Sequence, residues 1–190
     1  MDYTTMKSPL GTILIARNDA GITAIQFESE RRPSPPAEWN CDASALSDAV
    51  AQLREYFAGE RRRFELPLAP GGTDFQRGVW SVLVEIPYGE TRSYGEIAAR
   101  IGAPSASRAV GAANGRNPIA IVIPCHRVIG TSGSLTGYAG GLEIKRALLE
   151  LEGHQPQRSF RPWGRSFGFL HPPENRSPDP LALPTGKQKP

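Results

Sequence analysis

Ser93-Tyr94-Gly95-Glu96-Ile97-Ala98-Ala99-Arg100-Ile101-Gly102-Ala103-Pro104-Ser105-Ala106-Ser107-Arg108-Ala109-Val110-Gly111-Ala112-Ala113-Asn114-Gly115 carries two helix signatures in twenty-three residues. Serine at 93 with glutamate three residues on is a capping box, in which each side chain bonds the other's backbone N–H. Ile97, Ala98 and Ile101 then recur at helical spacing, and Gly102 closes the helix. Ala103 to Ala106 is a short turn. Ser107 is expected to cap a second helix, Arg108 to Asn114, which Gly115 closes. So brief a connection suggests a helix-turn-helix. A helical pair that merely fills a core has the same pattern, and the pattern alone does not choose between them.

The side chains of the second helix do discriminate. A helix that reads base edges in the major groove carries several long polar side chains. This one has a single long basic residue, Arg108, among Ala and Gly. Small residues let the backbone approach closely, which suits the minor groove, and Arg108 is long enough to enter a base stack. Around it, Ile97 to Leu142 contains no Asp or Glu but holds Arg100, Arg108, Arg116 and Arg127. Forty-six residues without a carboxylate can face a polyanion. The net charge of +3 and pI of about 9.1 are too mild to decide anything alone.

Upstream, Ala69 to Thr73 reads as a linker. Thr73 or Asp74 is expected to cap a helix with Phe75, Val79, Trp80 and Leu83 on one face, ended by Pro87-Tyr88-Gly89. The first third reads as a small sheet plus one helix. Thr12–Arg17 and Ile22–Phe27 are strands joined by a hairpin turn at Asn18–Gly21. Glu28 to Trp39 is a loop, and Ala45 to Phe57 is a helix. The domains so read are 1–68 and 74–153, with a Pro-rich tail at 154–190.

Downstream, Pro118-Ile119-Ala120-Ile121-Val122-Ile123-Pro124 is expected to be a buried extended segment that delivers Cys125-His126-Arg127 against the interior. A free cysteine is often only a small buried hydrophobe. An adjacent imidazole changes the chemistry, because it can take the thiol proton and only thiolate is strongly nucleophilic. Thr131 to Gly141 is rich in Gly and small hydroxyl residues. It reads either as a backbone that approaches a ligand or as a surface loop. The last helix, Glu143 to Glu152, is expected to bury Ile144, Ala147, Leu148 and Leu151. Glu152 sits in its last turn, where a carboxylate opposes the helix dipole. The position suggests another task, although a solvated helix end is the plain alternative.

With these residues in place, the chain resembles the O6-alkylguanine-DNA alkyltransferase family. The resemblance rests on Asn117-Pro118, Ile123-Pro124-Cys125-His126-Arg127-Val128-Ile129-Gly130, Pro87-Tyr88-Gly89, Tyr94, Arg108-Ala109-Val110-Gly111 and Gly140-Gly141-Leu142. It is strong over Thr73 to Gly153 and weaker before. It implies an α+β fold, with a ribonuclease-H-like N-terminal domain and a winged-helix-like C-terminal domain containing the helix-turn-helix. It implies direct-reversal repair, in which Cys125 takes an alkyl group from O6 of guanine, and also from O4 of thymine, in flipped nucleotides of duplex DNA. The transfer happens once, because a thioether is not hydrolysed.

Residue roles follow from the same resemblance. Cys125 is the acceptor, His126 its base through a water, Glu152 the residue orienting His126, and Asn117 a brace. Arg108 fills the gap left by the flipped base, Tyr94 contacts the DNA and helps rotate the target nucleotide, and Ala109, Gly111, Ala113 and Arg116 line the DNA face. Tyr94, Val128, Tyr138 and Ala139 form the substrate pocket. Many relatives carry serine where Ala139 stands, so only its backbone can act there. No cofactor and no metal are implied, and the protein is a monomer with cooperative DNA binding left open.

Competing classes are a non-repairing sensor of alkylated guanine, a winged-helix regulator and a thiol hydrolase. Cys125 argues against the first, Pro124-Cys125-His126-Arg127 against the second, and the Arg108 helix against the third. No apolar run is long enough to span a membrane and no signal peptide is evident, so a reducing cytoplasm is expected. Cys41 reads as incidental. The tail has eight prolines in thirty-seven residues. Its aromatic part, Phe160 to Phe169, is expected to pack on the body or add weak DNA affinity, and Ser177 to Pro190 to be disordered.

Overall fold

The N-terminal strands form where β-branched residues alternate with polar ones. Ile13 and Ile15 of β2 (Gly11–Asn18) and Ile25 of β3 (Gly21–Phe27) are completely buried. The computed structural model describes residues 1–28 and 35–154. The loop reading over residues 29–34 and the expectations for the tail beyond His154 lie outside the described residues. β1 (Asp2–Ser8) pairs antiparallel with β2, β2 antiparallel with β3, and a two-residue β4 (Asn40–Cys41) pairs parallel with β1. The sheet order is β3-β2-β1-β4. β1 was not anticipated, because its inward side chains include the polar Thr4 beside Met6.

The hairpin turn read at Asn18–Gly21 is present. The Asn18 side chain accepts from the backbone N–H groups of Ala20 and Gly21 at 3.0 and 3.2 Å. Gly21 has φ of 143° and sits against the carbonyl of Pro67, where a Cβ would collide. Helix α1 (Ser47–Phe57) covers the sheet and buries Leu53 and Tyr56 completely.

Helix α2 (Asp74–Val84) starts at Thr73 in a capping box with Gln76. Val79, Trp80 and Leu83 are buried, but Phe75 is 40% exposed, so the face expected for α2 is corrected at its first turn. Trp80 Nε1 donates to the carbonyl of Ala113 at 2.9 Å, which ties α2 to α4 (Ser107–Gly115). The Ser93–Glu96 capping box opens α3 (Tyr94–Arg100) as read. Ser107, by contrast, is not a cap. Ala106 occupies that position without a side-chain bond, and the chain enters α4 directly from the turn that bonds Ala106 N–H to Ala103.

The run from Pro118 to Pro124 is buried but not extended. Only its start is strand-like: Ile25 N–H donates to Pro118 and Ala120 N–H to Ile25, at 3.0 and 2.8 Å. This stitches the segment to β3. Then Ile121 takes a φ of 72° and the chain folds back, with Ile123 N–H on the Ile119 carbonyl. The turn ends in one 3-10 turn, Cys125–Arg127, and β6 (Val128–Ile129) pairs parallel with β5 (Arg92–Ser93). Helix α5 spans Leu142–Leu151. Its buried residues are Lys145, Leu148 and Leu149, whereas Ile144, Ala147 and Leu151 are half-buried. That corrects the face read from spacing, because Lys145 takes an inward position that the pattern assigns to apolar residues. Among the described residues no helix is long and apolar enough to cross a membrane.

Candidate active site

The tight turn before Cys125 exists because Asn117 replaces missing backbone pairing. Its Oδ1 accepts from Ile119 N–H at 3.0 Å, and its Nδ2 donates to the Ile123 carbonyl at 2.7 Å. The same Nδ2 reaches Cys125 Sγ at 3.0 Å. One buried amide therefore holds the turn and gives the sulfur a donor, which favours its thiolate form. Cys125 is 5% exposed and Cys41 is exposed, and both thiols are free.

Behind the thiol lies a buried carboxylate with crowded partners. Glu152 accepts five hydrogen bonds: from His126 Nε2, from Arg127 Nε and Nη2, from the Tyr56 hydroxyl and from Gly89 N–H, all between 2.8 and 3.2 Å. Burial alone would raise its pKa, but bonds from His126 and Arg127 overcome that and hold it far below the usual carboxylate range. Tyr56 comes from α1, so the N-terminal part of the chain supplies one of the donors. Burial first, and then the adjoining Glu152, keep that phenol protonated. Gly89 has φ of 77°, and a Cβ there would lie 2.9 Å from the Glu152 carbonyl, so glycine lets the loop close on α5.

His126 is fully buried. Burial lowers its pKa, with the Arg127 and Lys145 charges acting in the same direction against Glu152. Its Nε2 faces a carboxylate, so in the neutral ring Nε2 carries the hydrogen. Nδ1 is then an acceptor, and it has no partner among the described residues.

Lys145 was missed by sequence reading. It is completely buried, and its Nζ donates to the carbonyls of Val128 and Thr136 at 2.5 and 2.7 Å. Burial pushes its pKa down to about 8, while the neighbouring Cys125 pulls it up. Lys145 thus fixes the Gly-rich loop to the strand after the thiol and brings positive charge near the sulfur. No spacing rule signals it, because a lysine in an amphipathic helix is normally read as exposed.

The pocket beside the sulfur is lined by Tyr138 and Ala139, as read, together with Asn114, Asn117 and Ala120. Tyr94 and Val128 are not in that lining. The Tyr94 hydroxyl donates to the Thr136 carbonyl at 3.1 Å and its ring packs on Gly111. Val128 is completely buried, with its carbonyl on Lys145.

On α4, Arg108 and Ala109 are exposed and Gly111 half-exposed, and Arg116, just past its end, is exposed. Ala113 points inward, 2% exposed, with its carbonyl taken by Trp80, so it is not a surface residue for a DNA contact.

Comparison with known proteins gives the same picture from outside. Residues 1–70 match the model of the 6-O-methylguanine DNA methyltransferase ribonuclease-like domain, and residues 74–154 that of the DNA binding domain. A methylated-DNA–protein-cysteine methyltransferase of Methanosarcina acetivorans is 54% identical, over 80% of this chain and 99% of its own. That of Mycobacterium bovis is 55% identical, over 79% of this chain and 91% of its own. The crystal structure of Mycobacterium tuberculosis OGT in complex with DNA is 55% identical with a TM-score of 0.75, covering 80% of this chain and 92% of that one.

Proposed function

The chain belongs to the 6-O-methylguanine DNA methyltransferase family, and we propose that Cys125 is the residue with which it performs its alkyl-transfer DNA repair. The observation that carries this reading is the meeting at one buried place of a thiol held by Asn117 and a histidine backed by Glu152 and Arg127.

The chemistry runs in a short sequence. The Cys125 proton passes through a water to Nδ1 of His126, and the resulting imidazolium is stabilised by Glu152 at 2.9 Å. The Asn117 amide and the nearby Lys145 charge stabilise the thiolate. Its sulfur attacks the alkyl carbon in line. The carbon–oxygen bond breaks, its electron pair leaves with guanine, and guanine takes a proton. The product is a thioether, and no described group is placed to remove the alkyl group from it. One chain therefore repairs one lesion. A base edge inside a duplex cannot reach a buried sulfur, so the nucleotide must leave the stack.

We read α3, its turn and α4 as the helix-turn-helix that holds DNA through the minor groove. Arg108 takes the place of the flipped base, and Ala109, Gly111 and Arg116 lie along the strand. Tyr94, bonded to Thr136 in this structure, swings toward the target nucleotide and helps rotate it. Residues 1–68 and 74–153 act as two domains sharing the Glu152 network, in a cytoplasm that keeps both thiols reduced.

The direct experiment is intact mass after incubation with a duplex carrying O6-methylguanine. One methyl per chain is expected, mapped to the Cys125 peptide, with product guanine never exceeding protein. Turnover beyond one equivalent would exclude the mechanism. Arg108→Ala is expected to slow repair of a duplex by about 30-fold or more, because the unstacking cost goes uncompensated. Reaction with free O6-benzylguanine should change by less than about twofold, since no stack is opened. Equal losses on both would remove Arg108 from the flipping role.

A further inference from the structure

The pocket beside Cys125 contains a hydrogen-bond acceptor that the transfer step does not use. Asn114, near the end of α4, is 2% exposed and belongs to the pocket lining together with Cys125. Its Nδ2 donates to the Cys125 carbonyl at 3.3 Å. Its Oδ1 is buried and has no hydrogen-bond partner among the described residues. The reversed amide would set two acceptors, Oδ1 and the Cys125 carbonyl, against each other, so the orientation is fixed by chemistry. A leucine has the same number and branching of side-chain heavy atoms and would leave no buried side-chain oxygen unsatisfied, which is a costly arrangement. An acceptor kept in a pocket at that cost is suited to a donor that arrives with the substrate.

We propose that Asn114 makes this pocket selective for alkyl groups that carry a hydroxyl on their second carbon, 2-hydroxyethyl being the smallest. The proposal rests on Cys125 being the acceptor thiol. The transferred carbon must lie at Sγ, so the remainder of the alkyl group occupies the space that Asn114 helps enclose. Its hydroxyl donates to Oδ1 and the amide keeps its bond to the Cys125 carbonyl. The step stays balanced: the Sγ–carbon bond forms, the carbon–O6 bond breaks with its electrons going to guanine, guanine gains a proton, and the hydroxyl is retained on the thioether. The other donor a guanine could offer, its 2-amino group, is separated from O6 by N1.

The test uses the full chain and single-turnover rates, read by intact mass, on duplexes carrying O6-(2-hydroxyethyl)guanine, O6-propylguanine or O6-methylguanine. Hydroxyethyl and propyl have the same number of heavy atoms and differ at the terminal group. The wild-type chain is expected to transfer hydroxyethyl about tenfold faster than propyl, the worth of one buried hydrogen bond. Asn114→Leu should bring that ratio to about one or below.

A wild-type ratio near one overturns the proposal without recourse to any variant, and so does a ratio that Asn114→Leu leaves unchanged. O6-methylhypoxanthine, which lacks the 2-amino group, supplies the remaining arm. If Asn114→Leu slows O6-methylguanine but spares O6-methylhypoxanthine, Oδ1 serves the base instead and the proposal falls. If no duplex yields an adduct on the wild-type protein, it is the assignment of Cys125 that has failed.

Discussion

Cys125→Ala is expected to transfer no alkyl group while still folding and still binding alkylated duplex. The loss of rate should be at least about 10⁴-fold, since the bond-forming atom itself is gone. Cys41 cannot substitute for it. It lies exposed on β4, paired along β1 with Tyr3, and has no histidine or amide of this network beside it. The fold should survive, because Asn117 Nδ2 keeps its 2.7 Å bond to the Ile123 carbonyl when the sulfur is removed. Losing one buried sulfur should cost about 1 kcal/mol. The α4 face proposed to hold DNA is untouched, so affinity for an O6-methylguanine duplex should stay within about threefold. Mass spectrometry, anisotropy titration and thermal melting separate the three quantities. An adduct that still forms on the variant would move the acceptor elsewhere.

Much of the local structure was legible because its causes are local. Ser93 with Glu96 opens α3 as a capping box, and of Thr73 and Asp74 it is Thr73 that caps α2, since a cap is satisfied by residues three positions away; Ser107, with no such partner, caps nothing. The hairpin at Asn18–Gly21 was legible for the same reason. Positions whose side chains answer to distant residues were not. Lys145 is on the inner face of α5 because two carbonyls from other segments take its ammonium. Asn117 folds the Pro118–Pro124 run into a turn, although its apolar composition reads as extended.

The site divides along the same line. Cys125 and His126 are neighbours in sequence, and a thiol beside an imidazole is readable chemistry. Glu152 was suggested only by its awkward helix end and by family resemblance. Its other partners come from 96, 63 and 25 residues away in Tyr56, Gly89 and Arg127, a convergence no single window contains. That convergence says what the N-terminal sheet and helix contribute to the chemistry. They carry a phenol to the carboxylate and pin the active-site turn along β3. Removing them would unsettle the base as well as the fold.

Glu152→Gln tests that network, and its effects should be large in two separate quantities. Chemistry should slow by about 100-fold or more, because the imidazolium formed on His126 loses the anion 2.9 Å from Nε2. Stability should fall by about 3–5 kcal/mol, because Arg127 is left charged and 6% exposed without its counter-ion. The pH dependence gives the sign. The Glu152 pKa is held well below its unfolded value, so its contribution is fully present above the ordinary carboxylate range and fades as pH falls toward the folded value. The stability difference between wild type and variant should therefore be widest near neutrality and shrink in acid.

A second variant separates charge burial from catalysis. Glu152→Gln with Arg127→Met removes both charges together, and the remaining amide oxygen can still accept from Tyr56 or Gly89. Much of the lost stability should return, since a buried pair replaced as a unit is often nearly neutral. The rate should not return, because the carboxylate that faces His126 Nε2 at 2.9 Å is still missing when the imidazolium forms. Thermal melting and single-turnover alkylation on the same samples decide between the two. Recovery of the rate in step with the stability would reduce Glu152 to scaffolding.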